Sequence, residues 1–322
     1  MIALLNPQIT STSLRQSWIV SIKALLDLKN FFPSAPASLS VPKLAIALIA
    51  SMAALSSPAK ALEVQILPDD PQLGDTLSIR VQTETPGGEP PVVVMNQQNY
   101  PTFPLGGNQY RALLPTTPLD RAGRVEIDVM GDEDVRHLAV WLRDRAFPTQ
   151  RIWLPPDRAG LEGTDFEFDR VAEFKTLVTP DRFWAGSFLR PAGGRVSTIY
   201  GVRRYYNGEF AHDYYHRGVD YAGGQGSPVV APAAGRIGLV GLESQGFRIH
   251  GNTIGIDHGQ GVLSIFLHLS RIDVREGDMV RAGQVIGAIG STGISTGPHL
   301  HWGLYVHGMA VDPVPWRYDG IE

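Results

Sequence analysis

Apolar and polar positions alternate with a period of two through much of the chain beyond residue 61. Leu77, Ile79 and Val81 alternate with Ser78, Arg80 and Gln82. Val125, Ile127 and Val129 alternate with Glu126 and Asp128, and Leu138, Val140 and Leu142 continue the pattern. Successive strand side chains point to opposite faces, so each run predicts a half-buried strand. Turn residues separate the runs: Pro86-Gly87-Gly88, Gly106-Gly107-Asn108 and Gly131-Asp132. Short strands at this spacing predict a small β-sandwich, immunoglobulin-like in outline, over residues 62–145. It carries no cluster of ionisable or metal-binding residues, so its expected role is that of a spacer or docking module.

Residues 146–187 form a connector stiffened by Pro148, Pro155 and Pro156. A short helix is expected over Asp165–Val178, with Thr164 as its N-cap and Pro180 beyond its end. From Phe188 the chain turns glycine-rich around strand-like runs at Pro228–Ala231, Arg236–Val240, Thr253–Asp257, Val262–Leu267, Val285–Ile289 and Leu300–Val306. Glycine between short strands, with no helices intervening, predicts a curved antiparallel β domain over residues 188–322. The fold class expected for the whole is mainly β.

Residues 1–61 read differently. Leu44–Leu55 is an apolar run of 12, preceded by Lys43 and followed by the small-x-small triplet Ala59-Lys60-Ala61. That order predicts a secretory signal cleaved after Ala61. The run falls short of the ~20 residues a membrane-spanning helix needs. The mature chain is therefore expected to be exported and to have no membrane span; an uncleaved anchor is the alternative. The segment before the run is long for a signal, which suggests a start further along, at Val41 read from a GTG codon.

Composition then narrows the chemistry. A net charge of −4 with 19% charged residues lacks the basic face of a nucleic-acid binder. Cysteine is absent, so a metal would have to be held by His, Asp or Glu. Only His137 lies in the first 211 residues, and the other eight of the 9 histidines follow. Two fragments stand out there, His216-Arg217-Gly218-Val219-Asp220 and His299-Leu300-His301. In extended chain, positions four apart share a face, and the two imidazoles of the second fragment project to one side about 7 Å apart. Two imidazoles and a carboxylate make a three-ligand zinc set with one position open, the pattern of catalytic rather than structural sites.

The surroundings of these fragments resemble the lysostaphin-type (LytM-like) peptidoglycan endopeptidases over about Val196–Trp316. The matching pieces, in order, are Tyr200-Gly201-Val202-Arg203, His216–Asp220, Gly226-Ser227-Pro228-Val229-Val230-Ala231-Pro232 and Ile256-Asp257-His258-Gly259. They continue with His268-Leu269-Ser270, Gly277–Gln284 and the run Gly290–His301. The resemblance implies a lysostaphin-like sheet of the barrel-sandwich-hybrid type and one Zn2+ held by His216, Asp220 and His301. It also implies two active-site histidines, His268 and His299, one handling the proton of the attacking water and the other steadying the oxyanion. Tyr205, Tyr206, Tyr214 and Tyr215 are candidates for holding the transition state, with Tyr205, Tyr206 and Tyr215 taken as substrate-binding. The expected activity is hydrolysis of peptide bonds in peptidoglycan stem peptides or cross-links, in the periplasm, cell envelope or outside the cell.

Departures from that pattern are Phe266, where the family often has Tyr, and Trp302-Gly303 in place of a Phe-acid pair. His258 is expected to be structural, and His212, His250 and His307 exposed. Asn207, close in sequence to His216, is a candidate for blocking the open metal position. An inactive relative that activates other wall hydrolases would have lost ligands, whereas all five positions are intact. A lipoyl or biotinyl carrier fits the run Gly277–Gly287 but needs a modifiable lysine, and none follows Lys175. The sandwich could bind a cell-envelope protein partner or glycan.

Overall fold

The alternating runs of the first part pair into two sheets that bury their apolar faces against each other. In the computed structural model, which describes residues 62–84, 87–154, 162–318 and 321, eight strands succeed one another. They are β1 (Glu63–Leu67), β2 (Thr76–Gln82), β3 (Val92–Met95), β4 (Gln98–Tyr100), β5 (Phe103–Gly106), β6 (Gln109–Pro115), β7 (Gly123–Gly131) and β8 (Asp134–Leu142). Two four-stranded antiparallel sheets result, ordered β1-β2-β6-β5 and β4-β3-β7-β8. Leu77, Ile79 and Val81 from one sheet meet Val93, Ile127 and Val129 from the other in a single buried cluster. The export signal expected within residues 1–61, together with Pro155 and Pro156 of the connector, lies outside the described residues.

The connector contributes a strand, β9 (Thr149–Ile152), and a helix, α1 (Asp165–Lys175). Thr164 caps the helix as expected: its Oγ1 accepts the N–H of Glu167 at 3.0 Å, one of the donors the first turn leaves unmatched. The helix stops at Lys175 rather than Val178. Thr176 turns back to Glu173, its Oγ1 donating to that carbonyl at 2.7 Å, a local bond that competes with further helix. Val171 and Phe174 enter the larger apolar core. Glu167, beside them, is fully buried. Its carboxylate accepts the backbone N–H groups of Arg248 at 3.1 Å, Ile249 at 3.0 Å and His250 at 2.6 Å.

Twelve further strands follow: β10 (Arg195–Thr198), β11 (Arg203–Tyr206), β12 (Glu209–Phe210), β13 (Val219–Ala222), β14 (Pro228–Val230), β15 (Gly235–Gly241), β16 (Asn252–Gly259), β17 (Val262–Ile272), β18 (Met279–Val280), β19 (Val285–Ile289), β20 (His299–Val306) and β21 (Met309–Val311). Ten of them form one antiparallel sheet whose main path is β10-β13-β20-β17-β16-β15-β18, with β19 on β17, β14 on β19 and β21 on β20. The central strands β17 and β20 are buried on both faces, which explains why they read as continuous apolar runs. The other two strands, β11 and β12, form a hairpin that joins β9 in a separate three-stranded sheet, with β9 parallel to β11.

The described residues belong to one compact unit, and the sandwich touches the ten-stranded sheet and its connecting loops through polar as well as apolar groups. Arg111 of β6, fully buried, donates to Gln260 Oε1 at 2.8 Å, and Trp316 Nε1 donates to Thr76 Oγ1 at 3.2 Å. Inside the larger sheet a second polar group is satisfied in place. Trp302 Nε1 donates to Ser264 Oγ at 3.1 Å, and Ser264 Oγ lies 2.9 Å from His258 Nε2. His258 Nδ1 in turn meets the carbonyl of Ala234 at 2.8 Å. No helix among the described residues is long and apolar enough to cross a membrane.

Burial alone would raise the Glu167 carboxyl, but the His250 side chain and the surrounding N–H groups hold it below its ordinary value. A carboxyl depressed by folding adds stability that is complete above its unfolded pKa and is lost as pH falls through the folded value. Thermal unfolding should therefore show a loss of stability below about pH 4.5 that Glu167→Gln lacks. Melting temperatures of the two proteins from pH 7 to 3 test this; parallel curves would contradict it.

Candidate metal centre

Two strands and one loop bring the first three residues together. Asp220 on β13 stands directly opposite His301 on β20 in an antiparallel register. His216 approaches from the loop before β13. Between them Gly218 passes so close to β20 that an added Cβ would lie 2.3 Å from the Trp302 carbonyl oxygen. Only glycine permits that approach. His216 Nε2 then lies 3.0 Å from Asp220 Oδ1 and 3.0 Å from His301 Nδ1, and His301 Nδ1 lies 2.9 Å from Asp220 Oδ1.

Three buried donor atoms within 3.0 Å of one another suit a cation better than mutual hydrogen bonds. Ligands about 2.0–2.2 Å from a tetrahedral zinc would stand about 3.4 Å apart, close to the separations seen. The ring nitrogen facing away from the centre is committed as well: His216 Nδ1 meets the carbonyl of Ile199 at 2.8 Å. A carbonyl only accepts, so Nδ1 carries the proton and Nε2 offers its lone pair inward. Burial lowers the His301 imidazole to about 4, which keeps it in the neutral, metal-binding form. Burial would raise Asp220, yet His216 and His301 hold it well below the carboxylate range.

The second pair stands beside the first. The rings of His268 and His299 are 4.9 Å apart between centroids. His268 Nδ1 meets the Thr292 carbonyl at 2.9 Å, and His299 Nδ1 meets the Gly297 carbonyl at 2.8 Å. Each ring therefore keeps Nε2 free. Burial and the neighbouring His299 and His301 rings lower His268 to about 3, so the ring is neutral near pH 7. All five histidine and aspartate positions named from the motifs thus converge.

The tyrosines divide. Tyr205 is half-buried, leaning on Phe210 with centroids 4.9 Å apart and under the Arg151 guanidinium at 4.8 Å. The Tyr206 hydroxyl accepts from Arg204 Nη1 at 3.2 Å. Tyr215 departs from the substrate-binding expectation: it is buried, and its hydroxyl donates to the Ala310 carbonyl at 3.0 Å. Asn207 also departs. It sits at the tip of the β11–β12 hairpin at φ +50, and its Oδ1 accepts the Leu154 N–H of the connector at 2.9 Å, so it is engaged away from the centre. His212 is exposed as expected, whereas His250 and His307 are half-buried. His250 is drawn in by Glu167 at 2.6 Å, and His307 packs edge-on to Tyr100.

Sequence reading missed Arg204, whose Nη2 lies 3.6 Å from Asp220 Oδ2 and whose Nε donates to Gln150 Oε1 at 3.2 Å. No spacing rule points to it, since its position depends on β9 pairing with β11. Comparison with known proteins now adds to the geometry. Residues 214–313 match the family model described as Peptidase family M23. The chain carries an M23 peptidase domain. Around this domain the chain is 42% identical over 139 residues to the DD-carboxypeptidase/endopeptidase Mpg of Neisseria meningitidis, covering 40% of this chain and 30% of that protein. It is 42% identical over 106 residues to lysostaphin of Staphylococcus simulans, covering 31% of this chain and 21% of that one. The alignments thus reach less than a third of either relative's length. A crystal structure of a peptidase M23 protein from Pseudomonas aeruginosa shares the fold more widely, with a TM-score of 0.57 at 24% identity over 76% of this chain and 94% of that one.

A buried hydroxyl donating to a carbonyl contributes about 1 kcal/mol. Tyr215→Phe should cost about that much stability in urea unfolding and leave metal affinity and substrate affinity unchanged. A rise in KM without loss of stability would return Tyr215 to the substrate side.

Proposed function

We propose that this chain is an exported zinc endopeptidase that hydrolyses a peptide bond in the stem peptides or cross-links of peptidoglycan. The observation that carries the reading is the convergence of His216 Nε2, Asp220 Oδ1 and His301 Nδ1 within 3.0 Å, beside two histidines with free Nε2 atoms. His216, Asp220 and His301 would hold the ion. Their donor set, two imidazoles and a carboxylate, fits zinc in the open, three-ligand form of catalytic sites. When bound, zinc supplies a Lewis acid that polarises a carbonyl and makes water acidic enough to attack near neutral pH.

The chain's own groups do the rest. One neutral imidazole of the His268–His299 pair takes the proton of the attacking water at Nε2 and returns it to the leaving amine. The other, when protonated at Nε2 as well, donates from there toward the oxygen on which negative charge develops. Holding each Nδ1–H against a fixed carbonyl presets both rings, so neither has to reorient during the reaction. Arg204, behind Asp220, keeps the carboxylate turned so that Oδ1 faces the centre. Tyr205 and Tyr206, half-buried on β11, are read as substrate contacts on the β11–β12 side of the centre. The named activity of Mpg and the absence of lysine after Lys175 favour an enzyme over an activator or carrier. The sandwich is read as a docking module for a cell-envelope partner.

Digestion of purified peptidoglycan by the chain from Leu62, followed by mass spectrometry, tests the reading. New amino and carboxyl ends at one peptide bond are expected, and none with His301→Ala. Release by the His301→Ala control, or none from any wall type by the zinc-loaded protein, would overturn it. Substitution of His216, Asp220 or His301 by Ala should remove zinc and activity together. His268→Ala and His299→Ala should keep zinc while lowering turnover about 10²–10⁴-fold, as read by zinc analysis and initial rates on one preparation.

A further inference from the structure

The backbone of His268 is unusual. It lies at φ +64, in the left-handed region that residues bearing a Cβ seldom occupy. The reason is a bulge at which β17 changes partner. Leu267 still pairs with His301 on β20, while Leu269 already pairs with Ile289 on β19. Such outliers persist only where the surroundings hold them. Two bonds do so here: the His268 N–H donates to the His250 carbonyl at 3.1 Å, and the ring donates to the Thr292 carbonyl.

Both of those carbonyls sit on loops, and the loops are locked to each other. Ile294 N–H donates to the Ile249 carbonyl at 2.9 Å, and Asn252 N–H donates to Thr292 Oγ1 at 2.9 Å. Gly251 packs so tightly that an added Cβ would stand 2.5 Å from Thr292. Two carboxylates hold this pair of loops: Glu243 Oε1 accepts the Gly293 N–H at 2.9 Å on one, and Glu167 holds the other. Three consecutive N–H groups, those of Arg248, Ile249 and His250, end on Glu167. The helix itself is seated independently, by Val171 and Phe174 in the apolar core.

The geometry points to Glu167 as a positioning residue for the His268–His299 pair. The proposal rests on the peptidase reading of that pair. Glu167 fixes the 248–250 backbone, that backbone fixes the His250 carbonyl and the Thr292 loop, and the two together set the His268 ring. His299 follows, since the loop that ends in it is the one tied down at Thr292 and Ile294. Neutralising the carboxylate leaves α1 docked but loosens three N–H groups at once. The catalytic rings then lose their preset orientation while the ligand trio, on β13 and β20, does not.

The test uses the full chain, zinc-loaded, with a soluble cross-linked muropeptide as substrate. Glu167→Gln is compared with Val171→Ala, which weakens the same helix without touching the loop. Three quantities are read: kcat and KM, bound zinc, and the imidazole Nδ1–H resonance of His268 in histidine-labelled protein. Glu167→Gln should lower kcat about tenfold to a hundredfold, the range found when groups that orient reacting side chains are removed. KM and zinc should stay unchanged, and the His268 resonance should shift or broaden. Val171→Ala should lower the melting temperature yet keep kcat and the resonance. Wild-type kcat with an unmoved resonance in Glu167→Gln overturns the proposal, as does a loss of kcat in Val171→Ala that tracks its loss of stability. If the wild type cleaves nothing, the peptidase reading fails, and the resonance alone still decides whether Glu167 sets His268. Should Glu167→Gln not fold, Glu167→Asp, which draws the charge back by one methylene, is read by the same three quantities.

Discussion

The pairing of β13 with β20 governs the rest of the site. It sets Asp220 opposite His301 and Ala222 opposite His299, and on the far side of β20 it leaves Leu267 opposite His301. Side chains alternate along a strand, so a slip of one residue would turn the Asp220 or His301 side chain to the opposite face. Gly218 enforces the register from the loop side, because no other residue could pass Trp302 at that distance. The burial of β17 and β20 on both faces enforces it from within. Chemistry here depends on hydrogen-bond register more than on any one contact.

Around that fixed trio the protein sets the His268–His299 pair on β17 and β20 and restrains it through the loops packed against it. The His268 bulge stores an unfavourable backbone geometry, and the connector helix supplies, in Glu167, the carboxylate on which the His250 backbone that holds it ends. The same connector supplies β9, which flanks the hairpin carrying Arg204 and gives Arg204 its Gln150 partner. A segment that looks in sequence like a link between two β units thus reaches residues that border the site at two places. Glu167 acts on the histidine pair and Gln150 acts behind the aspartate. Each works through charge or a directed hydrogen bond rather than through bulk packing.

The two short histidine patterns were legible because their chemistry is local in sequence, whereas His268, and the choice of His301 over His299 as a ligand, rested on the resemblance to lysostaphin-type peptidases. A His four before an Asp and a His two before another are short patterns, and glycine-rich strand grammar surrounds them. The sandwich strands and the Thr164 cap were legible for a similar reason, since alternation and capping are short-range rules. Glu167 and Arg204 were not. Glu167 reads as an ordinary acidic residue in a first helical turn, and only docking of α1 shows what it faces. Tyr215 was misjudged because proximity to His216 in sequence does not say which side of the chain a ring takes; the ring turns inward to Ala310. Asn207 was misjudged for the converse reason. Its left-handed turn, with Gly208 after it, carries it to the hairpin tip and into contact with Leu154.

The link between Trp302, Ser264 and His258 has a further consequence for how this sequence can drift. An indole N–H sealed inside the sheet needs an acceptor, and Ser264 is that acceptor while also serving His258. A phenyl ring at position 302 would release the hydroxyl, and an alanine at 264 would strand the indole. The two positions, thirty-eight residues apart and on neighbouring strands, therefore constrain each other.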